Sequence, residues 1–129
     1  MGYESKIYIV RKGRQYDPDI EKSWAEVLMV FNLGKITPTL ERLFRDHPAT
    51  DCFVYADDGN TRIIEDCYGD PLKEFSLLDM RDILYEEMDR RGLHNYPEPL
   101  RVLAKGVLPL LIQKYGFGHG EVFCLHYGY

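Results

Sequence analysis

The 129-residue sequence has no long apolar segment and no excess of basic residues. Its longest apolar run, Val107 to Ile112, contains Pro109 and falls far short of the ~20 residues that span a membrane. Acidic residues number 21 and basic residues 16, for a net charge of −5, whereas nucleic-acid-binding proteins usually carry a basic stripe. These absences argue against a membrane protein and against direct nucleic-acid binding.

Cysteine is scarce, and its spacing matches no zinc-binding motif. The side chains that would suit zinc are those of Cys52, Cys67, Cys124, His119 and His126. The C-x₂₋₄-C pair of a zinc knuckle is missing, so we interpret the cysteines as ordinary thiols and expect no metal or cofactor. An odd number of cysteines, with no apolar signal segment after Met1, predicts a reduced, cytoplasmic protein.

Recognisable catalytic motifs are also missing. The sequence has no G-x-S-x-G nucleophile elbow. The glycine-rich segment 116–120 precedes a predicted strand, whereas a phosphate-binding loop leads into a helix N-terminus. Cys124 and His126 are two residues apart on that strand, so their side chains run parallel and do not converge. The sequence therefore assigns no catalytic residue.

The most informative stretch that is present covers residues 51–68. Two apolar, β-branched and aromatic runs flank Asp-Asp-Gly-Asn, a pattern that predicts a β-hairpin because Gly59 can adopt the positive φ of a tight turn. With Asp58 and Gly59 as the central turn residues, the predicted opposite pairs are Ala56 with Thr61, Val54 with Ile63 and Cys52 with Glu65.

The rest of the chain alternates between strand and helix signals. Alternating apolar residues predict strands over 3–12, 24–33 and 122–127, although a helix over 23–30 is an alternative to the second. Helices are predicted from Thr37-Pro38, from Ser76 to Gly92, and from Pro97 with an interruption near Pro109. The expected fold is a single α+β domain, residues 1–129, with a mainly antiparallel sheet of about five strands, a central β-hairpin (51–68) and covering helices.

Four segments together resemble a group of small bacteriophage and prophage proteins without an assigned activity. These segments are Met1–Val10, Ala56–Ile63, Glu65–Leu72 and Leu125–Tyr129. The resemblance covers the strands and the hairpin, about half of the chain. It implies a phage accessory protein that acts in the cytoplasm of the bacterial host, where small acidic phage proteins often bind and inhibit a host machine.

The leading functional hypothesis is a non-enzymatic protein that binds and inhibits a host protein, including one of a nucleic-acid-handling defence system. Its expected contact residues are Asp57, Asp58, Asn60, Arg62, Asp66, Tyr55 and Tyr68. Acids on a rigid hairpin would enter a basic groove of the partner, and tyrosine would anchor the contact. The alternatives are a metal-dependent or thiol enzyme that uses the acidic hairpin and the Cys and His residues, and a structural protein that self-associates through exposed sheet edges.

Overall fold

The computed structural model describes residues 4–35, 37–116 and 121–129. Its strands are β1 (Glu4–Asp17), β2 (Lys22–Lys35), β3 (Cys52–Tyr55), β4 (Arg62–Ile63), β5 (Lys73–Phe75) and β6 (Val122–Gly128). Its α-helices are α1 (Pro38–Asp46), α2 (Leu77–Arg91), α3 (Glu98–Val102) and α4 (Leu108–Tyr115). The predicted α+β class is confirmed.

The strands form one sheet in the order β4-β3-β2-β1-β6-β5. All neighbouring pairs are antiparallel except β2 and β3, which run parallel. The mainly antiparallel character was predicted, but the described residues form six strands and the sheet is mixed. The hairpin predicted to be central lies at one edge, because β3 joins the sheet only through its short parallel pairing with β2.

A long hairpin of β1 and β2 forms the middle of the sheet. Both strands are longer than predicted, and the helical alternative over 23–30 is wrong. The predicted start of β1 at Tyr3 lies outside the described residues. The register between β1 and β2 shifts between Ile9 and Val10 and again between Ser5 and Lys6. These shifts leave Leu28 and Leu33 as extra residues in β2. Such bulges bend and twist a strand.

The β3–β4 hairpin keeps the predicted register at its tip. Val54 faces Ile63, and the Ala56 N–H donates to the Thr61 carbonyl at 2.8 Å. The Gly59 N–H donates to the Ala56 carbonyl at 2.9 Å, so the central residues of that turn are Asp57 and Asp58 rather than Asp58 and Gly59. Gly59 has a φ of 75°, the left-handed conformation that glycine adopts without strain.

The lower half of the predicted hairpin does not form. Glu65 forms an isolated bridge with Pro71 instead of pairing with Cys52, whose partner Ser23 lies on the other edge of β3. After β4 the chain turns towards β6 instead of returning along β3, and the Cys67 N–H donates to the Gly128 carbonyl at 3.1 Å.

The helices begin and end where the capping residues predict. The side chain of Thr37 accepts from the Leu40 N–H ahead of Pro38 at the start of α1, and Ser76 accepts from the Asp79 N–H at 3.0 Å at the start of α2. Gly92 ends α2. The break expected near Pro109 is instead a π-helical turn over Leu103–Val107 that joins α3 to α4. Such turns accommodate irregularities within a helix.

Apolar side chains lie on both faces of the sheet. The helix-side core includes Ile7, Ile9 and Cys124 from the sheet and the inner faces of the helices. The second core lies on the opposite face; its buried members are Tyr8, Val10, Ala25, Cys52, Val54, Leu72, Phe123 and Leu125. Within the described part of the chain, none of the helices has both the length and the apolar character of a bilayer-spanning segment.

Candidate functional site

The second core opens to solvent at a cleft of about 190 Å³, called here the tyrosine cleft. Its lining residues are Lys6, Tyr8, Val27, Val30, Tyr55, Ala56, Asp57, Ile63 and Tyr127. The central strands form one wall and the tip of the β3–β4 hairpin forms the other. The cleft therefore lies where the hairpin diverges from β2.

The register of the central strands assembles one wall of the cleft. Lys6 and Tyr8 are two residues apart in β1, so their side chains share a face. Antiparallel pairing places Tyr127 of β6 opposite Lys6 and Val30 of β2 opposite Tyr8. Residues 121 positions apart in the sequence, Lys6 and Tyr127, thus become neighbours.

The ammonium group of Lys6 lies among three tyrosine rings. Its Nζ atom is 4.8 Å from the ring centre of Tyr127, 5.4 Å from that of Tyr8 and 5.5 Å from that of Tyr129. The Tyr8 and Tyr127 rings meet edge to face, with centres 6.2 Å apart. Cation–π attraction of this kind contributes about 0.5–1 kcal/mol per contact at exposed sites. The lysine therefore holds the tyrosines in a defined arrangement.

The hairpin supplies two of the contact residues predicted from the sequence. Tyr55 is 37% exposed, and its ring packs edge to face against the buried Phe53, with centres 5.3 Å apart. Asp57 is exposed at the adjacent turn. Both line the tyrosine cleft, so the structure brings these two residues together with Lys6, Tyr8 and Tyr127.

Asp58 and Asn60 lie in the same turn, but the Asp58 carboxylate is engaged within the loop. It accepts from the Asn60 and Thr61 N–H groups, each at 2.8 Å, and from the Thr61 hydroxyl at 2.6 Å. The Thr61 hydroxyl, followed by the two N–H groups, lowers the pKa of Asp58. This carboxylate therefore stabilises the turn that displays Asp57.

The remaining predicted residues lie away from the cleft. Arg62 forms an ion pair with Asp17 of β1. Asp66 is 8% exposed and accepts from the Tyr68 N–H at 2.8 Å and the Asp70 N–H at 3.0 Å. Tyr68 is half exposed in the same turn. Asp66 therefore does not belong to an exposed acidic rim, because its carboxylate is buried.

A larger pocket of about 460 Å³, lined mostly by charged residues and His126, lies beside α1. It is lined by Glu41, Phe44, Arg45, Asp66, Asp70, Pro71, Lys73 and His126. The His126 ring stacks on Phe44, with centres 3.6 Å apart, and its Nε2 atom is 2.9 Å from the Ser5 hydroxyl. Burial lowers the pKa of His126 to about 4. Ser5 is fully buried, so the Ser5–His126 contact is out of reach of a substrate and joins β1 to β6.

The cysteines are free thiols in contrasting environments. Cys52 and Cys124 are buried, and burial raises the pKa of each thiol. Cys67 is exposed. Among the described residues, no three His, Cys, Asp or Glu side chains are grouped so as to hold a metal ion. His119, named above as a zinc-ligand candidate, lies outside the described residues.

Four residues that cluster here were not predicted from the sequence: Lys6, Tyr8, Tyr127 and Tyr129. By simple alternation, Lys6 and Tyr8 share a face, as do Tyr127 and Tyr129. A prediction that the first and last strands pair would have brought these two pairs together.

No protein-family model, curated protein or solved structure matches this chain. The candidate site therefore depends on geometry alone.

Proposed function

We propose that this protein is a non-enzymatic binding module that captures a partner protein at the tyrosine cleft. The observation that carries the proposal is the convergence of Tyr8, Tyr55, Tyr127 and Lys6 on one partly exposed cleft. Tyrosine is enriched at the centres of protein interfaces because it combines a large, rigid apolar ring with a hydroxyl group. Residues of this type also dominate the energy of such contacts.

The two walls of the cleft suggest which chemistry it recognises. Lys6 places a cation on the strand wall, and Asp57 places a carboxylate on the hairpin wall. A partner segment with apolar side chains and opposite charges at its ends would match both walls. The net charge of −5 favours association with a basic protein surface, because long-range attraction speeds encounter.

The resemblance to small phage and prophage proteins supports a bacterial host protein as the partner. An accessory protein of this kind would inhibit its target by covering a functional surface. The proposal of host inhibition is thus an extension of the binding proposal, and the two are tested separately. Binding is tested first, because inhibition requires it.

A photo-crosslinking amino acid at Tyr55 tests the location of the contact directly. In a bacterial lysate, we expect this variant to crosslink a defined set of proteins, and an Asp57→Lys change in the same chain to reduce the yield at least tenfold. Tenfold corresponds to about 1.4 kcal/mol, which is above the ~1 kcal/mol that fewer than about 30% of interface residues exceed when truncated.

The matched control places the same crosslinker at Tyr85, a residue of α2 that is 36% exposed and lies outside the cleft. Far-ultraviolet circular dichroism verifies that each variant is folded. Equal crosslinking yields of one protein from positions 55 and 85 would contradict the proposed site. So would a yield from Tyr55 that is unaffected by Asp57→Lys.

A further inference from the structure

One edge of β2 has almost no strand partner. Along its other edge, β2 pairs with β1 from Lys22 to Lys35. On the outer edge, β3 pairs only with Ser23 and Trp24 before it diverges. In the part of the chain that the structure describes, no other strand pairs with this edge. Residues 25–35 of β2 therefore have no strand partner on this side, which is called here the open edge.

The composition of the open edge is unusual for an exposed strand. From Val27 to Gly34 it contains no charged residue and no proline. Native proteins normally protect edges with lysine, proline, bulges or a covering segment. Of these devices, the segment has two bulges, at Leu28 and Leu33, but neither lysine nor proline. Here two apolar side chains near the centre are exposed, Met29 by 37% and Val30 by 50%. An edge of this kind readily accepts another strand.

The bulges of β2 limit where a second strand would pair. The extra residues Leu28 and Leu33 flank a run from Met29 to Asn32 that stays in register with β1. Within this run the alternation is regular: Met29 faces Ile9 and lies on the helix side of the sheet, while Val30 faces Tyr8 on the cleft side. The run therefore offers a short, straight template between two bends.

We propose that a second copy of this chain pairs with the open edge, antiparallel, about a two-fold axis at Val30. A two-fold axis perpendicular to the sheet keeps each face continuous across the pair, so only residues on the same face become opposite. Centred on Val30, the pairing places Val30 opposite Val30 of the second copy and Met29 opposite Phe31. The apolar side chains of both faces then meet their equivalents.

The distribution of charge favours a second copy in this orientation. Two chains that each carry a net charge of −5 repel over most of their surface, so they approach best where a segment is neutral. The neutral run is flanked by Glu26 at one end and Lys35 at the other. Because Glu26 is ion-paired with Arg11 of its own chain at 2.8 Å, antiparallel pairing brings this ion pair of one copy beside Lys35 of the other, whereas parallel pairing would bring the two Lys35 side chains together.

The proposed dimer contact is distinct from the proposed function because it lies in the plane of the sheet and uses a different partner, but the two surfaces share Val30, which also lines the tyrosine cleft. Sedimentation equilibrium over a wide concentration range tests it. We expect the protein to form a dimer and Val30→Lys to weaken that dimer at least tenfold, because two ammonium groups would meet at the two-fold axis. The control Leu110→Lys changes an apolar side chain of α4 that is 67% exposed and should leave the dimer unchanged.

A disulfide test checks the register even where Val30→Lys disturbs the fold. In a Cys67→Ser background, which removes the exposed native thiol, Val30→Cys should form an interchain disulfide on mild oxidation. Directly opposite residues of an antiparallel pair have Cα atoms about 4.5–5.5 Å apart, within the range that a disulfide spans. Leu110→Cys in the same background is the control.

Three results would overturn the inference: a monomer at all concentrations, a dimer insensitive to Val30→Lys, or equal crosslinking by Val30→Cys and Leu110→Cys. If the protein is a monomer and its open edge is protected from hydrogen exchange only when lysate is added, the edge binds a different protein and not a second copy. Tyr55→Ala serves to separate the two proposals, since it should reduce partner capture and leave the dimer intact.

Discussion

Acid should destabilise this protein through His126. The imidazole is 5% exposed, stacks on Phe44 and lies beside the Ser5 hydroxyl, so its charged form is poorly solvated in the fold. Burial lowers the pKa of His126 from 6.5 to about 4, although the nearby Asp66 acts in the opposite direction. We expect the folded protein to keep this histidine neutral under conditions in which the unfolded chain protonates it.

The sign and size of the effect follow from that difference in pKa. Because the pKa is lower in the folded state, the contribution of His126 to stability is complete above pH 6.5 and is lost as the pH falls to about 4. The change corresponds to about 3 kcal/mol, since one pKa unit is equivalent to about 1.4 kcal/mol. The wild type should therefore lose more stability in acid than a variant that lacks this imidazole.

Two measurements check the prediction. An NMR titration of the histidine rings should place the midpoint of His126 near 4, and a midpoint near 6.5 would refute the reasoning. In urea unfolding, the free energy of unfolding of wild type minus that of His126→Gln should decrease by about 3 kcal/mol between neutral pH and pH 4. The matched control is His94→Gln at an exposed histidine, and the same decrease for this variant would show that the effect is not specific to His126.

Two further changes test the packing of the domain. Tyr96→Phe should lower the free energy of unfolding by about 1.5–3 kcal/mol, because the Tyr96 hydroxyl donates at 2.6 Å to the buried carboxylate of Glu87. The control is Tyr85→Phe, which changes an exposed ring. An equal loss of stability in the control would contradict this explanation. Gly13→Ala should cost about 1–3 kcal/mol in urea unfolding, because its Cβ would lie 2.4 Å from a ring carbon of the tryptophan in β2. Gly106→Ala meets no atom within 4 Å and should be neutral or stabilising, so a comparable loss at both glycines would refute the steric explanation.

Local signals in the sequence predicted local structure well. Asp-Gly between two β-branched runs identified the β3–β4 turn and its register at Val54 and Ile63, because turn chemistry and alternation act over a few residues. The same signals wrongly extended the hairpin to Cys52 and Glu65. The pairing with β3 ends at Ile63 because the chain then turns towards β6, where the Cys67 N–H donates to the Gly128 carbonyl, a long-range contact for which the local sequence carries no signal.

Two errors elsewhere have similarly physical causes. Strand β5 was missed because Lys73–Phe75 is too short to show alternation, and it is held by β6 and by the preceding segment at Ala49. A break was expected before Pro109 because proline lacks an N–H group and clashes with the preceding turn. The π-helical turn at Leu103–Val107 accommodates the proline, so the chain remains helical.

The candidate site shows the same division between local and long-range information. Tyr55 and Asp57 were predicted as contact residues because they flank a turn. The cluster of Lys6 and Tyr127 was not predicted, since it depends on which strands are neighbours in the sheet. Alternation specifies the face on which a side chain lies, but only the pairing of the first and last strands specifies what it meets there.

The geometry of the turn also decides which acidic residue can test a charge-driven contact. Reversing the charge of Asp58 would remove three hydrogen bonds from Asn60 and Thr61, so a loss of binding would reflect a changed loop as much as a changed charge. Asp57 is exposed in the same turn and lines the tyrosine cleft. Asp57→Lys should therefore weaken capture in a salt-dependent manner with little change in stability, whereas Asp58→Asn should lower stability first. If both changes reduced capture and stability in parallel, the hairpin would act only as a support for the cleft, and the tyrosines would supply the contact.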